Sequence, residues 1–173
     1  MICPSCGHVN VPGADECSRC QFPLAAVDGQ PVGHDVVEVN ILTETVSALH
    51  PKTPVTIPVD AMLGLALDRM VAHGVGALLA VDADGKLRGI LTERDYVRKV
   101  IGVEPDFVRL PIADYMTPDP ETVRPTDLLA VALQKMDVGG YRHLPVVDDG
   151  RPVGLISVRD VIRHITKLCD AGR

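Results

Sequence analysis

Four cysteines near the start of the chain have the spacing of a metal site. Cys3 and Cys6 form one C-x-x-C pair, and Cys17 and Cys20 form a second pair after ten intervening residues. Two such pairs supply four thiolates, the tetrahedral set that Zn²⁺ takes in structural sites. A segment of about 20 residues cannot fold on a hydrophobic core alone, so a metal must supply the folding energy. The spacing predicts one structural zinc ion, with iron as the competing metal and metal-free cysteines as the other alternative.

A second pattern that could do chemistry occurs twice. Residues 89–95 return 65 positions later as residues 154–160, each copy reading Gly, two apolar residues, Thr or Ser, and then Asp three positions on. A hydroxyl and a carboxylate at this spacing form a helix capping box, in which both side chains satisfy unpaired backbone N–H groups. From the spacing alone, capping and ligand binding are equal alternatives for the carboxylates. The residues concerned are Thr92, Asp95, Ser157 and Asp160.

The repetition extends beyond this pattern and divides the chain. Two stretches of about 60 residues align with each other, which is too long for a solenoid repeat and indicates two copies of one small domain. The segment between the cysteines and the first copy has glycines and prolines without helical or strand periodicity. We therefore expect a zinc ribbon over residues 1–24, a linker over 25–39, and the two repeats over 40–103 and 104–173.

Each repeat must position its Thr/Ser-x-x-Asp pattern with a small set of elements. The pattern of apolar residues predicts a strand, a helix, a two-stranded hairpin closed by an Asp-Gly turn, and a second helix. Asp60 and Thr126 are good N-caps for the first helices, and Thr92 and Ser157 open the second ones. The first helices carry apolar stripes at i, i+3, i+4 and i+7: Leu63, Ala66, Leu67 and Met70, and Leu129, Ala132, Leu133 and Met136.

This β-α-β-β-α unit, ending in a Gly-apolar-apolar-Ser/Thr-x-x-Asp pattern, resembles the CBS domain, named after cystathionine β-synthase. Residues 46–168 resemble one full pair of such domains, and residues 3–24 resemble the short zinc ribbons of bacterial regulatory proteins. The resemblance implies a mixed α/β fold in which tandem units form a pseudo-twofold pair. It also implies two clefts for an adenosine-containing ligand such as AMP, ATP, NAD or S-adenosylmethionine, and a homodimer.

The resemblance also assigns roles to individual residues. Asp95 and Asp160 would hold the ribose hydroxyls, and the helix N-termini beside them favour a phosphate. The first repeat departs from the family pattern, because residues 75–79 lack the Arg-His pair that the second repeat has before Leu-Pro. The first cleft is therefore expected to bind a less charged ligand, a different one, or none. The expected nucleotide-binding residues are Asp160, Ser157, Arg142, His143, Arg159, Thr117, Asp95, Thr92, Arg94 and, for the first cleft, Lys52.

Charge and composition narrow the function classes. The formal net charge is −6, and residues 1–40 contain a single base, Arg19, against five acidic residues. Phosphate contacts need the opposite sign, so the ribbon is expected to contact protein rather than nucleic acid. No signal-peptide pattern and no apolar run of membrane-spanning length occurs, which favours a cytoplasmic protein. No catalytic motif is present, and Cys169 is expected to be an incidental thiol, so we do not expect an enzyme.

The leading hypothesis is a regulatory protein that senses adenosine nucleotides in its CBS pair and reports through its zinc ribbon by a protein contact. Binding would act by differential affinity for two conformations. The alternative is an adaptor whose CBS pair dimerises without a ligand, and a nucleic-acid-binding regulator comes after it. The identity of the nucleotide and of the partner stays open at this point.

Overall fold

The computed structural model describes residues 1–24 and 36–171, so residues 25–35 of the expected linker lie outside the described residues. The α-helices are α1 (Val36–Thr43), α2 (Leu63–His73), α3 (Glu93–Asp95), α4 (Leu129–Gly139) and α5 (Val158–Ala171). The strands are β1 (Thr56–Pro58), β2 (Ala77–Val81), β3 (Leu87–Thr92), β4 (Thr117–Pro118), β5 (His143–Asp148) and β6 (Arg151–Ser157). The expected mixed α/β class is confirmed.

The strands form two sheets. One has four strands in the order β1-β2-β3-β4, in which β1 is parallel to β2 and the other neighbours are antiparallel. The other sheet is the pair β5-β6. The expected hairpins are therefore present in both repeats, and each ends at the residue that opens the next helix, Thr92 or Ser157.

The chain packs as two compact units whose bounds differ from those of the sequence repeats. The first, which we call the ribbon unit, comprises Met1–Pro51, Val123–Leu144 and Ile156–Arg173. The second, the sheet unit, comprises Lys52–Thr122 and Pro145–Leu155. Each unit contains one of the two Thr/Ser-x-x-Asp patterns, so each candidate site can be described within a single unit.

Helices α2 and α4 begin three residues after the caps expected at Asp60 and Thr126. Met62 and Leu128 occupy the N-cap positions, and their apolar side chains form no cap hydrogen bond. A backbone carbonyl satisfies the first amide in each case: Leu110 accepts from α2 and Glu44 accepts from α4, both at 2.8 Å. A distant segment of the same unit therefore fixes the start of each helix, which local capping propensity could not predict.

The sheet unit has an aliphatic core between its sheet and its helices. Helix α3 continues directly as a π-helical turn, Tyr96–Val100, which brings Tyr96 into that core. The buried Tyr96 hydroxyl donates to the Leu63 carbonyl at 2.6 Å, tying the helix after the first pattern to the start of α2. Burial raises the pKa of Tyr96 to about 12. Among the described residues, no helix has both the length and the apolar character needed to span a membrane.

Candidate functional site

The four expected cysteine ligands lie together. Their sulfurs are all within 4.8 Å of one another, with Cys3 and Cys20 at 3.6 Å and Cys6 and Cys17 at 3.7 Å. A tetrahedral centre with Zn–S bonds of about 2.3 Å has S···S edges of about 3.8 Å. The close spacing of the sulfurs and the all-thiolate donor set therefore fit a zinc ion.

Two equivalent turns produce this convergence. The carbonyl of Cys3 accepts from Gly7, and the carbonyl of Cys17 accepts from Gln21, at 2.9 and 2.8 Å. Gly7 and Gln21 both have positive φ, 70° and 59°, so each turn closes through a left-handed residue. A left-handed backbone is strained for Gln21, which has a side chain, and unstrained for a glycine such as Gly7. Each turn directs its two sulfurs to the same point, as a metal-binding knuckle requires.

Asn10 links the two turns, a role that the spacing of the cysteines did not indicate. Its buried side-chain amide donates to the His8 carbonyl at 3.1 Å and to the Cys17 sulfur at 3.5 Å. Its oxygen accepts from the Ser18 amide at 3.0 Å. Burial raises the pKa of the Cys17 thiol. Hydrogen bonds from the backbone of Cys20 and Arg19 and from the side chain of Asn10 outweigh this effect and lower the pKa to about 6. These donors stabilise the thiolate that a metal binds.

The ribbon packs on helix α4 within the ribbon unit. Val131 is only 2% exposed and shares a core cluster with Phe22, Leu24 and the ligands Cys3 and Cys17. The Gln134 side-chain amide donates to the Cys20 carbonyl at 2.7 Å. The four-cysteine cluster therefore packs against the first helix of the second repeat, and the ribbon is not a separate tethered module.

The second strand–helix junction, where β6 meets α5, has the expected hydroxyl–carboxylate geometry. Asp160 Oδ2 accepts from the Ser157 amide at 2.9 Å and from the Ser157 hydroxyl. Asp160 Oδ1 pairs with Arg163 at 3.1 Å. The carboxylate half of the capping arrangement is thus present, and the carboxylate is held in a fixed orientation at the start of a 14-residue helix.

Arg142 and His143 reach the same junction from the end of α4. Gly140 ends that helix in a left-handed conformation, with φ 63°, and turns the chain into β5. The Arg142 carbonyl then accepts from the Val158 amide at 3.1 Å, beside the start of α5. Arg142 is exposed and His143 is half-buried. The basic pair and the Ser157–Asp160 pair therefore lie on adjoining segments of one unit.

The first junction, where β3 meets α3 in the sheet unit, repeats this frame. Asp95 Oδ2 accepts from the Thr92 amide at 2.9 Å and from the Thr92 hydroxyl at 2.7 Å. Asp95 Oδ1 pairs with Lys99 at 2.9 Å, and the same ammonium group donates to the Tyr115 carbonyl at 2.6 Å. Asp95 is one of two buried polar residues in the described part of the chain.

The segment that replaces the Arg-His pair is glycine and alanine. The Gly76 carbonyl accepts from the Glu93 amide at 3.0 Å, the counterpart of the Arg142–Val158 hydrogen bond. The Glu93 carboxylate lies over Gly76, so close that a Cβ on Gly76 would come within 2.9 Å of Glu93 Oε2. The first junction therefore presents a carboxylate where the second presents an arginine.

The other expected nucleotide-binding residues lie on the helices after the two junctions and on or beside neighbouring strands. Arg94 and Arg159 are exposed in the first turns of the helices after β3 and β6. Thr117 pairs with Ile90 of β3, which places its backbone beside the first junction. Lys52, expected to serve the first cleft, lies in the sheet unit, but its backbone pairs with Leu155 of β6 in the second repeat.

A family model for the CBS domain matches residues 46–102 and 112–167, more than half of the chain. The chain belongs to the CBS domain family. The two repeats inferred from the sequence are thus a CBS pair, and we refer to them below as the first and second CBS repeats. Together with the clustered cysteines, this confirms the expected organisation of a CBS pair preceded by a four-cysteine segment.

Similar proteins include both plant and archaeal members. The chain is 34% identical over 133 residues to the CBS domain-containing protein CBSCBSPB1 of Arabidopsis thaliana, covering 75% of this chain and 24% of that protein. It therefore spans about a quarter of the length of that relative. The CBS domain protein PAE2072 from Pyrobaculum aerophilum, solved in complex with AMP, has 26% identity and a TM-score of 0.64, covering 73% of this chain and 98% of its own.

A further solved structure broadens the range of ligands in the family. The CBS domain pair of MJ0100, in complex with 5′-methylthioadenosine and S-adenosyl-L-methionine, has 27% identity and a TM-score of 0.62, covering 69% of this chain and 97% of its own. CBS pair proteins are regulatory, and some bind AMP or S-adenosylmethionine.

Sequence reasoning missed the cations that pair with the two aspartates. Lys99 lies four residues after Asp95, and Arg163 lies three residues after Asp160, so helical spacing was the available signal. It also missed Gln134, whose contact with the ribbon joins residues 114 positions apart. No pattern in the sequence indicates a contact of that range.

Proposed function

We propose that the chain is a ligand-sensing regulatory protein whose second CBS repeat binds an adenosine nucleotide. One observation carries the proposal: a fixed carboxylate, a hydroxyl, a helix N-terminus and a basic pair adjoin at the β6–α5 junction. In this arrangement Asp160 holds the ribose hydroxyls, while Ser157 and Arg142 contact the phosphate, with His143 and Arg159 beside them. A carboxylate matches vicinal hydroxyls as the acidic residue does in dinucleotide folds.

The electrostatics of the junction support a phosphate-bearing ligand. Helix α5 is long enough to carry a useful partial positive charge at its first turn, which favours an anion there. Arg142 adds a full charge beside that turn. Arg163 already occupies Asp160 Oδ1, so ribose binding requires this exposed arginine to share or release the oxygen. The pair is solvent-exposed on the arginine side, which makes such a rearrangement inexpensive.

The test is a calorimetric titration of AMP, ATP, NAD and S-adenosylmethionine into metal-loaded protein. Asp160→Ala should weaken binding of the preferred ligand by roughly tenfold to a hundredfold, since charged hydrogen bonds contribute about 1.5–3 kcal/mol each. Arg142→Ala should reduce affinity for AMP more than for adenosine, because it removes a phosphate contact. Arg151→Ala, a change at an exposed arginine of β6, is the matched control and should leave affinity unchanged.

The competing function is an adaptor that needs no ligand. It is favoured by one observation: both aspartates already cap a helix and pair with a cation, so neither needs a ligand to be satisfied. This alternative predicts that Asp160→Ala lowers the melting temperature by an amount equivalent to about 1 kcal/mol while no nucleotide binds at all. Binding of any of the four nucleotides that is at least tenfold weaker in Asp160→Ala excludes this alternative.

For the ribbon, we propose a structural Zn²⁺ ion and a role in protein contact. Ile2, Val9 and Val11 are each about two-thirds or more exposed, which gives the ribbon an apolar outer surface. The acidic balance of the segment opposes a nucleic-acid partner. Iron is the competing metal, and elemental analysis of protein produced with both metals available decides between them.

We also propose a cytoplasmic homodimer without catalytic activity. The sheet unit has an open apolar groove of about 480 Å³ between α2 and the helix after β3, flanked by the exposed side chains of Val71, Val97 and Ile101. Grouped exposed apolar side chains are typical of protein contact sites, and a second copy of the chain supplies a matching surface by symmetry. Sedimentation at micromolar concentration tests this, and a monomer with and without nucleotide would contradict it.

A further inference from the structure

The two junctions differ in charge at equivalent positions. The charge of each junction is counted over four residues: the two that enter the hairpin and the first two of the helix that follows it. With His neutral, the net charge is +2 at the second junction and zero at the first. The frame around them is shared, since both aspartates accept from a hydroxyl and an amide in the same way. The compared residues are Arg142, His143, Val158 and Arg159 in the second junction, and Gly76, Ala77, Glu93 and Arg94 in the first.

The difference is structural as well as compositional. Glu93 and Val158 make the same backbone hydrogen bond, to Gly76 and Arg142 respectively. In the first junction the Glu93 side chain then folds back over its partner: a Cβ on Gly76 would lie 2.9 Å from Glu93 Oε2 and 3.0 Å from its carboxyl carbon. Gly76 has no positive φ, so its backbone suits any residue. The Glu93 carboxylate occupies the space in which an arginine side chain would begin.

The cations of the first junction do not cancel this carboxylate. Lys99 is engaged by Asp95 and by the Tyr115 carbonyl. Arg94 has an equivalent, Arg159, in the second junction, so it cannot account for a difference between the two. What distinguishes the first junction is a carboxylate gained and two basic side chains absent. A 5′-phosphate placed there would meet repulsion, whereas a neutral or positively charged group would not.

We propose that the first junction binds adenosine compounds whose 5′ substituent is neutral or cationic, and that Glu93 sets this selectivity. The inference rests on the proposed function, because it takes Asp95 to hold a ribose as Asp160 does. The chain would then bind two classes of adenosine compound at the same time: a phosphate-bearing compound at the second junction and a phosphate-free compound at the first.

The experiment compares three probes on metal-loaded full-length protein. AMP carries a 5′-phosphate, 5′-methylthioadenosine a neutral thioether, and S-adenosylmethionine a sulfonium cation. AMP should bind once per chain, and Asp160→Ala should weaken that binding by roughly tenfold to a hundredfold while Asp95→Ala leaves it unchanged. The other two probes should bind a site that Asp95→Ala weakens at least tenfold. Melting curves confirm that each variant is folded.

Exchange of the distinguishing residues is the sharper test. Glu93→Gln removes the charge at an exposed position, so it should leave the fold intact, and it should raise AMP affinity at the first junction. The double variant Gly76→Arg/Glu93→Val gives the first junction the residue types found at Arg142 and Val158 and should create a second AMP site, with at least tenfold weaker binding of S-adenosylmethionine there. Arg94→Gln, the neighbouring exposed charge, is the control and should not raise AMP affinity.

The outcomes separate the two proposals. If wild-type protein binds two AMP molecules with similar affinity, one lost in each Asp→Ala variant, the selectivity inference is wrong and the nucleotide-sensing function stands. The inference also fails if neither phosphate-free probe binds at Asp95, or if AMP affinity there is unchanged in Glu93→Gln and in the double variant. If no adenosine compound binds at either aspartate, the proposed function itself fails.

Discussion

Val131 offers the most direct test of how the ribbon is built into the chain. It is the α4 residue that is buried among the ribbon's cysteines and its two large apolar side chains, and it is 2% exposed. The equivalent position in α2, 66 residues earlier, is Leu65, which is 48% exposed. Two apolar residues at one repeat position thus have opposite environments, and each can serve as the control for the other.

The expected cost of Val131→Ala follows from this burial. The change removes two methyl-sized groups at about 0.8 kcal/mol each and leaves a small cavity, so the ribbon unit should lose about 2 kcal/mol of stability. Leu65→Ala removes a larger group, but at a half-exposed position, so the loss should be about 0.5 kcal/mol or less. The larger side chain therefore has the smaller effect, which is the reverse of what side-chain size alone would predict.

Two measurements check this. Denaturant unfolding of metal-loaded protein gives the difference in stability between the variants. Competition with a chromophoric chelator gives the zinc affinity, which should fall by roughly thirtyfold in Val131→Ala, because 2 kcal/mol of lost folding energy is linked to metal binding. Leu65→Ala should leave zinc affinity unchanged. Equal zinc affinities in the two variants, or equal losses of stability, would refute the packing of the ribbon on α4.

Three further changes have defined outcomes. Cys17→Ser should reduce bound zinc to well below one ion per chain by elemental analysis, while circular dichroism shows residues 46–168 still folded. Tyr96→Phe should cost about 1–1.5 kcal/mol in denaturant unfolding, since it removes the buried hydrogen bond to the Leu63 carbonyl. The pKa of Tyr96, about 12 in the folded protein, is raised by burial above its unfolded value of about 10. The contribution of the protonated Tyr96 to the free energy of unfolding is therefore complete below pH 10 and is lost as the pH approaches 12. Unfolding measurements across that range should show this loss in wild type and not in Tyr96→Phe. Val97→Asp, at an exposed position of the π-helical turn, should shift the sedimentation coefficient to that of a monomer, and an unchanged coefficient would contradict the proposed dimer surface.

Local sequence patterns predicted the parts of the fold that depend on local rules. The four cysteines converge because each C-x-x-C pair closes its own turn. The hairpins and the apolar stripes follow from periodicity and from Asp-Gly turns. The hydroxyl–carboxylate contacts of Ser157 and Asp160 follow from a spacing of three at a helix start. In each case the interacting residues are close in sequence, so the pattern contains the geometry.

Contacts between distant segments could not be predicted in this way. Helices α2 and α4 start where the carbonyls of Leu110 and Glu44 lie, and the local N-caps Asp60 and Thr126 are passed over. Val131 lies outside the apolar stripe of its helix, so nothing in the periodicity indicates that it is buried. When a segment outside a repeat packs on a helix of that repeat, the contact produces no periodic pattern in the sequence of the segment or of the helix.

The internal duplication supplies what a single sequence otherwise lacks, a matched comparison within one molecule. Where the repeats agree, as in the contacts of Thr92 with Asp95 and of Ser157 with Asp160, the shared frame explains the residue whatever the function. Where the side chains of the two repeats differ although the backbone contacts are the same, those contacts cannot explain the difference. The carboxylate of Glu93 over Gly76 is such a difference, because the backbone hydrogen bond beneath it is the same in both repeats. The proposed selectivity attributes this difference to what the junction binds, which is why the exchange variants, rather than stability measurements, decide the role of Glu93.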